Sequence, residues 1–257
     1  MIIGGIQKHS LIDYPGLVSA VVFLSGCNFR CPYCHNPELV RPDASSQPHQ
    51  EKNVLEFLAD RRGLLDGVVV SGGEPTLQQD LGSFCSAIRE MGFRIKLDTN
   101  GSRPDVIRTL LTRGLIDYVA MDVKTDPVCY PRFIRGAYDA ESIVESIRTI
   151  MEAAPDYEFR TTCVRPIVDA STLRGIAKAV RGARLHVLQP FVPGEVLLPE
   201  FFTLEGGDYS ARELSHMKEV IDPWVESCVV RGQEFPEPWH NPAIRCENAD
   251  FVSTFPR

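Results

Sequence analysis

No stretch of the 257-residue chain approaches the ~20 consecutive apolar residues that cross a bilayer; the run Leu17 to Leu24 (LVSAVVFL) is far shorter. No apolar leader opens the sequence, so export is not expected. Positive charge is not in surplus: 27 Lys and Arg face 34 Asp and Glu, for a formal net charge of −7. That balance argues against a broad nucleic-acid or anionic-membrane surface, and neither partner is expected. The eight cysteines are too spread out for the disulfide framework of a small secreted chain. Internal repeats and low-complexity tracts are absent too. With 44% hydrophobic and 24% charged residues, the chain reads as an ordinary soluble protein, with room for one barrel-sized domain or two smaller ones. Cysteines outside a disulfide framework, together with the metal cluster that the spacing of three of them suggests, lead one to expect a reducing, oxygen-poor cytoplasm.

Six short β-branched runs alternate with helix-like segments, the pattern of β/α units on a parallel sheet. Strands are expected at Leu17 to Leu24, Gly67 to Val70, Arg94 to Leu97, Tyr118 to Met121, Glu158 to Val164 and Arg184 to Leu188. Helices are expected near Val54 to Leu65, Leu81 to Met91, Pro104 to Thr112, Glu141 to Ala154 and Thr172 to Val180. Ile143, Ile147, Ile150 and Met151 share one helical face that should cover the sheet. Six units are too few to close an eight-stranded barrel. The expected fold is α/β, a partial (β/α)6 barrel over residues 1–192, with its chemistry at the carboxyl ends of the strands. Arg41 to Gln50 read as a loop. From Pro193 the pattern dissolves into prolines, glycines and aromatics, so residues 193–257 form an irregular extension of unassigned role, with one helix near Ala211 to Ile221.

Cys27, Cys31 and Cys34 follow the first of these strands, with three and then two residues between them. Thiolates at this spacing can wrap a loop around an iron–sulfur cube while filling three of its four protein positions. The open iron is then free to bind a small molecule and pass it an electron. Structural zinc is the weaker alternative, because it wants four closed ligands and the nearest fourth, His35, stands too close to Cys34. Cys85 on a helix and Cys163 in a strand read as packing residues. Cys129, in a polar loop, is ambiguous. Cys228 and Cys246, with His240 between them, match no trusted metal spacing and stay unassigned.

A polar motif follows each of the first four strands: the cysteine loop, Ser71-Gly72-Gly73-Glu74-Pro75, Asp98-Thr99-Asn100-Gly101, and Asp122-Val123-Lys124. Parallel strands bring all four to one rim, where Arg160 on the fifth can join them. Gly72 and Gly73, lacking a Cβ, can bring bare backbone to a ligand's amino group beside Glu74; a tight turn into the next helix is the plainer explanation of these glycines. Asp98 and Asp122 can hold a cation or ligand hydroxyls, and Lys124 can pair with a carboxylate. Two carboxylates beside a ligand carboxylate need compensating positive charge, from a monovalent or magnesium cation with Lys124 supplying part.

The cysteine loop and Gly-Gly-Glu-Pro together resemble the radical S-adenosylmethionine enzymes, and the wider pattern looks like their glycyl-radical-enzyme activase branch. Ser10 to Gly16, Gly26 to Pro37, Leu97 to Gly101, Asp117 to Lys124, Phe159 to Thr162 and Leu188 to Phe191 are similar to activating proteins of anaerobic ribonucleoside-triphosphate reductase. The resemblance implies a radical-SAM type of partial barrel with a [4Fe-4S] cluster on Cys27, Cys31 and Cys34 and S-adenosylmethionine on the fourth iron. One electron would cleave the sulfonium to methionine and a 5′-deoxyadenosyl radical, which takes a hydrogen atom from the substrate. It also implies Tyr33 and His35 on the adenine side, Gly73 and its neighbours at the methionine amino group, and Asp122 with Lys124 at the rest of the methionine and ribose. The implied partners are a glycyl radical enzyme, anaerobic ribonucleotide reductase foremost, and a flavodoxin or ferredoxin as electron donor. Asp13 resembles a peptide contact of formate-lyase activases; a plain turn with Asp13 as a local cap is the alternative. Those activases carry a cofactor-binding histidine where this chain has Val192, a departure that weighs against a pyruvate formate-lyase partner. Two rival functions are a radical enzyme acting on a small molecule, of the deazapurine-forming kind, and a non-catalytic iron–sulfur redox module.

Overall fold

The computed structural model describes residues 1–40, 49–130, 134–136, 139–202 and 207–232. Its strands are β1 (Ile3–Ser10), β2 (Ser19–Leu24), β3 (Phe29–Arg30), β4 (Gly67–Gly72), β5 (Arg94–Thr99), β6 (Tyr118–Asp122), β7 (Arg135–Gly136), β8 (Asp156–Cys163), β9 (His186–Pro190) and β10 (Cys228–Val230). The helices are α1 (Pro37–Val40), α2 (Glu51–Ala59), α3 (Leu81–Glu90), α4 (Pro104–Thr112), α5 (Ala140–Ala153), α6 (Ala170–Ala179) and α7 (Ala211–Ile221). All six strands expected from the sequence are present. They lie in one open sheet, ordered β1-β2-β4-β5-β6-β8-β9-β10. Among the described residues of this sheet every pairing from β2 through to β10 is parallel, and β1 runs antiparallel on β2.

Four strands are not foreseen by the sequence pattern: the two-residue β3 and β7, which pair only with each other, and β1 and β10 at the two edges of the sheet. β1 buries only its terminal residues Ile3 and Ser10, so it shows no alternation. β10 has three residues and lies inside the extension, where it pairs with β9 beyond the sixth unit. The extension's helix falls at Ala211–Ile221 as expected, opened by a capping box between Ser210 and Glu213. α2 starts and stops earlier than its apolar pattern implied, because the chain turns at Asp60. Of the expected loop Arg41 to Gln50, residues 41–48 lie outside the described residues.

The two faces of the sheet bury different things. Val68, Val70, Ile95, Leu97, Val119 and Met121 point into one large core, where Ile143, Ile147 and Ile150 of α5 join them. The opposite face holds a small separate cluster of Tyr14, Val21, Val69, Tyr118 and Ala120. Tyr14 stacks obliquely on Tyr118, ring centroids 5.9 Å apart, and closes the amino-terminal edge of the strands. On this inner face the period of two then places charged groups nearer the carboxyl edge: Lys96 and Asp98 on β5, Asp122 on β6, Glu158 and Arg160 on β8. A barrel interior with polar layers above an apolar plug is shaped to receive a ligand at one edge only.

Candidate active site

The three cysteines of the loop after β2 line a cavity of about 290 Å³ at the carboxyl edge of the sheet. Phe29 and Arg30 inside this loop form a two-stranded ribbon with β7, and the Cys34 N–H turns back onto the Cys31 carbonyl at 3.1 Å. All three are free thiols, Cys31 buried and the others partly exposed. Burial pushes the Cys27 thiol up to about 11 and Cys31 up to about 12. Burial thus favours the protonated form of Cys27 and Cys31, and a bound metal is what favours their thiolates.

The glycine turn after β4 lies directly against this loop. A Cβ on Gly73 would stand 2.2 Å from the Gly26 carbonyl oxygen, and one on Gly72, whose φ is +118°, would stand 2.3 Å from that of Leu24. Only glycine permits this approach. The Gly73 N–H donates to Leu24 and the Glu74 N–H to Gly26, each at 2.8 Å. What the turn can offer a ligand is therefore carbonyl oxygen.

Glu74 does not reach the cavity, and its place among the expected cofactor contacts is corrected. Its side chain is fully buried, with Oε1 accepting from the Thr76 N–H (3.0 Å), the Thr76 hydroxyl (2.5 Å) and the Thr99 hydroxyl (2.8 Å). Oε2 accepts from the Asn100 N–H at 2.6 Å. Burial raises this carboxyl, while the bonds from Thr76, Asn100 and Thr99 act against the rise. Glu74 is a brace between the ends of β4 and β5. Two residues to which the sequence assigns no role of their own take part instead. The Asn100 amide donates to Asn28 Oδ1 at 3.0 Å and stands 4.0 Å from Cys27 Sγ, and Gln189 at the end of β9 lines the cavity. The signal for both was a polar residue directly after a buried strand run.

Asp98, Asp122, Lys124 and Arg160 all face the cavity. The Asp122–Arg160 pairing of β6 and β8 puts Arg160 Nε 2.7 Å from Asp122 Oδ1, with Nη1 3.6 Å from Asp98 Oδ1. Lys124 Nζ sits 2.8 Å from Asp122 Oδ2, Lys96 Nζ 2.7 Å from Asp98 Oδ1, and the Ser71 hydroxyl donates to Asp98 at 3.0 Å. Burial alone would raise both carboxyls, but Arg160 and Lys124 hold Asp122 well below the usual range, and Arg160 and Lys96 hold Asp98 below it. Burial disfavours the Lys124 cation, and Asp122 outweighs that to keep it firmly charged. Arg160 and Lys96 thus supply positive charge to the acidic pair, together with Lys124, as the sequence implies for the last. Among the described residues no three His, Cys, Asp or Glu side chains gather around a single-ion position.

Tyr33 and His35 line the same cavity. The Tyr33 hydroxyl is buried without a hydrogen-bond partner among the described residues, a donor left for a ligand. His35 Nε2 lies 2.9 Å from the Val192 carbonyl oxygen, which can only accept, so Nε2 carries the proton. In the neutral ring Nδ1 is then an acceptor.

Asp13 is placed elsewhere, and its expected role at the mouth is corrected. Ser10 pairs with Ser19 at the start of β2, whereas the cysteine loop leaves the other end at Leu24. The length of β2 separates them, roughly 17 Å at the rise of an extended strand. Asp13 Oδ2 accepts from the Ser10 hydroxyl at 2.5 Å, and the Asp13 N–H returns to that oxygen at 3.2 Å, the local cap of the alternative reading. Asp13→Ala is expected to cost about 1 kcal/mol of stability, which urea titration checks.

Cys85 and Cys163 are buried packing residues as expected, Cys129 is partly exposed, and Cys228 is buried in β10. His240 and Cys246 lie outside the described residues. Among the described residues no helix is long and apolar enough to cross a membrane.

The Radical SAM superfamily matches residues 21–174, from within β2 into α6, and the chain belongs to it. A protein of Methanocaldococcus jannaschii, named as a candidate glycyl-radical enzyme activating enzyme, is 36% identical over 236 residues, covering 90% of this chain and 95% of its own. The pyruvate formate-lyase-activating enzyme of Clostridium pasteurianum is 34% identical over 128 residues, 48% of this chain and 52% of that one. The 7-carboxy-7-deazaguanine synthase of Methanopyrus kandleri is 35% identical over 130 residues, 43% of this chain and 51% of that one. A crystal structure of SuiB from Streptococcus suis has a TM-score of 0.62 at 12% identity, over 82% of this chain and 48% of that one, and shares the fold. The chain is thus a radical S-adenosylmethionine enzyme with a [4Fe-4S] cluster and S-adenosylmethionine as cofactors, and the redox-module reading is set aside. The site fits them: three free thiols on one loop, a glycine cradle against that loop, and an unpartnered buried hydroxyl in a single cavity.

Proposed function

We propose that this enzyme installs a glycyl radical on a partner protein, with anaerobic ribonucleoside-triphosphate reductase as the partner and a flavodoxin or ferredoxin as electron donor. The supporting observation is the extent of likeness. The glycyl-radical activating relative is 36% identical over nearly the whole of both chains, whereas a deazaguanine synthase that covers 68% of this chain is 26% identical. Val192, at the place of the formate-lyase activases' histidine, favours the reductase over pyruvate formate-lyase.

In this reading Cys27, Cys31 and Cys34 hold the cluster. Gly72 and Gly73 present carbonyls to the ammonium of S-adenosylmethionine, Lys124 and Arg160 attract its carboxylate, and Asp98 and Asp122 hold those cations in place. Tyr33 and His35 take the adenine end. When bound, these cofactors supply one-electron cleavage to a carbon radical that removes hydrogen from the substrate; the chain's part is to position them and keep water out.

The test is anaerobic electron paramagnetic resonance of the reconstituted enzyme, reductant and S-adenosylmethionine mixed with the reductase from the same source. A glycyl doublet that requires both proteins is the expected result. Cofactor cleavage without the doublet, stimulated by a pterin-derived small molecule instead, would overturn the activase reading.

A further inference from the structure

The segment after β9 is tied to the far side of the cysteine loop. The Leu197 N–H donates to the Cys34 carbonyl at 2.9 Å, and the Leu198 N–H to that of Pro32 at 3.1 Å. His35 Nε2 reaches the Val192 carbonyl at 2.9 Å. The His35 ring stacks on Phe191 (centroids 5.5 Å apart, planes at 26°), and Phe191 stacks on Phe202 (5.2 Å, 13°). The segment is also fixed at both ends. Phe191 N–H donates to Cys163 at 3.3 Å, and beyond Phe202 the Gly207 carbonyl accepts from Arg165 N–H at 2.8 Å. A chain held at both ends has little freedom left to lose when its middle binds.

The loop's other half has its own supports: the Gly26–Glu74 bond, the Asn28–Asn100 bond and the ribbon with β7. We propose that residues 191–202 are a positioning clamp for the third cysteine, fixing Cys34 and His35 against the cavity and setting how far the cluster edge at Cys34 is open to solvent. This rests on the reading that the three cysteines hold the cluster. Solvent exposure and hydrogen bonding are among the factors that set an iron–sulfur potential, so a loosened clamp should be read there and in the cluster's resistance to attack.

Leu197→Pro removes the N–H that Cys34 accepts, Phe202→Ala loosens the ring stack without touching the backbone, and Leu197→Ala is the control that keeps the N–H. After anaerobic reconstitution, Leu197→Pro and Phe202→Ala should release iron to a chelator about tenfold faster than wild type, the low end of what loss of an outer support costs a metal site, and should show a shifted midpoint potential. Leu197→Ala should follow wild type. Hydrogen exchange on the loaded wild-type enzyme should show the Leu197 and Leu198 amides protected, a measurement that stands even if the proline variant fails to fold. Wild-type release rates and potentials in both Phe202→Ala and Leu197→Pro, or fast exchange at both amides, would overturn the clamp. A wild-type protein that binds no cluster would instead overturn the reading beneath it.

Discussion

Cys31→Ala protein should emerge from anaerobic reconstitution without a stable [4Fe-4S] cluster, while wild type takes up about one per chain. Its cleavage of S-adenosylmethionine should fall by more than the ~100-fold that loss of an outer-shell support causes, because a ligand itself is gone. Cys31 is the buried member of the three and sits mid-loop, so its neighbours cannot close over the missing corner. Cys85→Ala is the matched control: a buried cysteine on α3, outside the cavity lining, whose removal should lower stability but leave iron and sulfide content unchanged. Iron and sulfide analysis, the spectrum of the reduced cluster and 5′-deoxyadenosine yield check the pair. Undiminished cleavage by Cys31→Ala would remove the cluster assignment.

Arg160→Met should produce the second largest effect, and its size depends on pH. In the wild type Asp98 and Asp122 lie below the ordinary carboxylate range. Their contribution to stability is therefore fully present above the unfolded value near 4 and is lost only as pH falls through the lower folded values. Without the guanidinium the two carboxylates face each other, with Lys96 and Lys124 as the remaining cations, and burial dominates. At least one folded value then rises above the unfolded one, so the variant loses stability as pH climbs through it. We expect a deficit of about 3 kcal/mol at neutral pH, the low end for breaking a buried ion pair because the lysines remain, shrinking toward pH 5. Urea unfolding of the cluster-free protein at several pH values checks this. A deficit that does not vary with pH would mean that only packing was lost. Binding of S-adenosylmethionine to the reconstituted variant should weaken at least tenfold, since each 1.4 kcal/mol of lost interaction is a factor of ten.

The cysteine loop was legible because a cube-binding loop needs only local spacing, and local spacing is written along the chain. The six parallel strands were legible for a related reason: strands buried on both faces read as short β-branched runs such as Gly67 to Val70. Asp13 shows where such reading stops. It lies few residues before the strand that delivers the cysteines, yet the antiparallel turn from β1 to β2 sends it to the opposite edge. Glu74 and Asn100 show the same limit at the scale of one residue, since both sit in motifs that follow strands and only the packed side-chain directions decide which is buried as a brace and which meets the loop.

By itself, then, the sequence determined the kind of chemistry: three thiols at cube-binding spacing, a glycine pair able to lie against them, and enough β/α units for an open barrel. Tertiary structure alone decided which charges meet. Arg160 is 38 residues from Asp122 and becomes its partner only through the register of β6 on β8, and the Leu197 N–H finds the Cys34 carbonyl only because the chain after β9 folds back across the loop. Spacing within a loop is a covalent property, whereas register and fold-back are settled by burying the sheet's outer face beneath its helices, a balance to which the whole chain contributes.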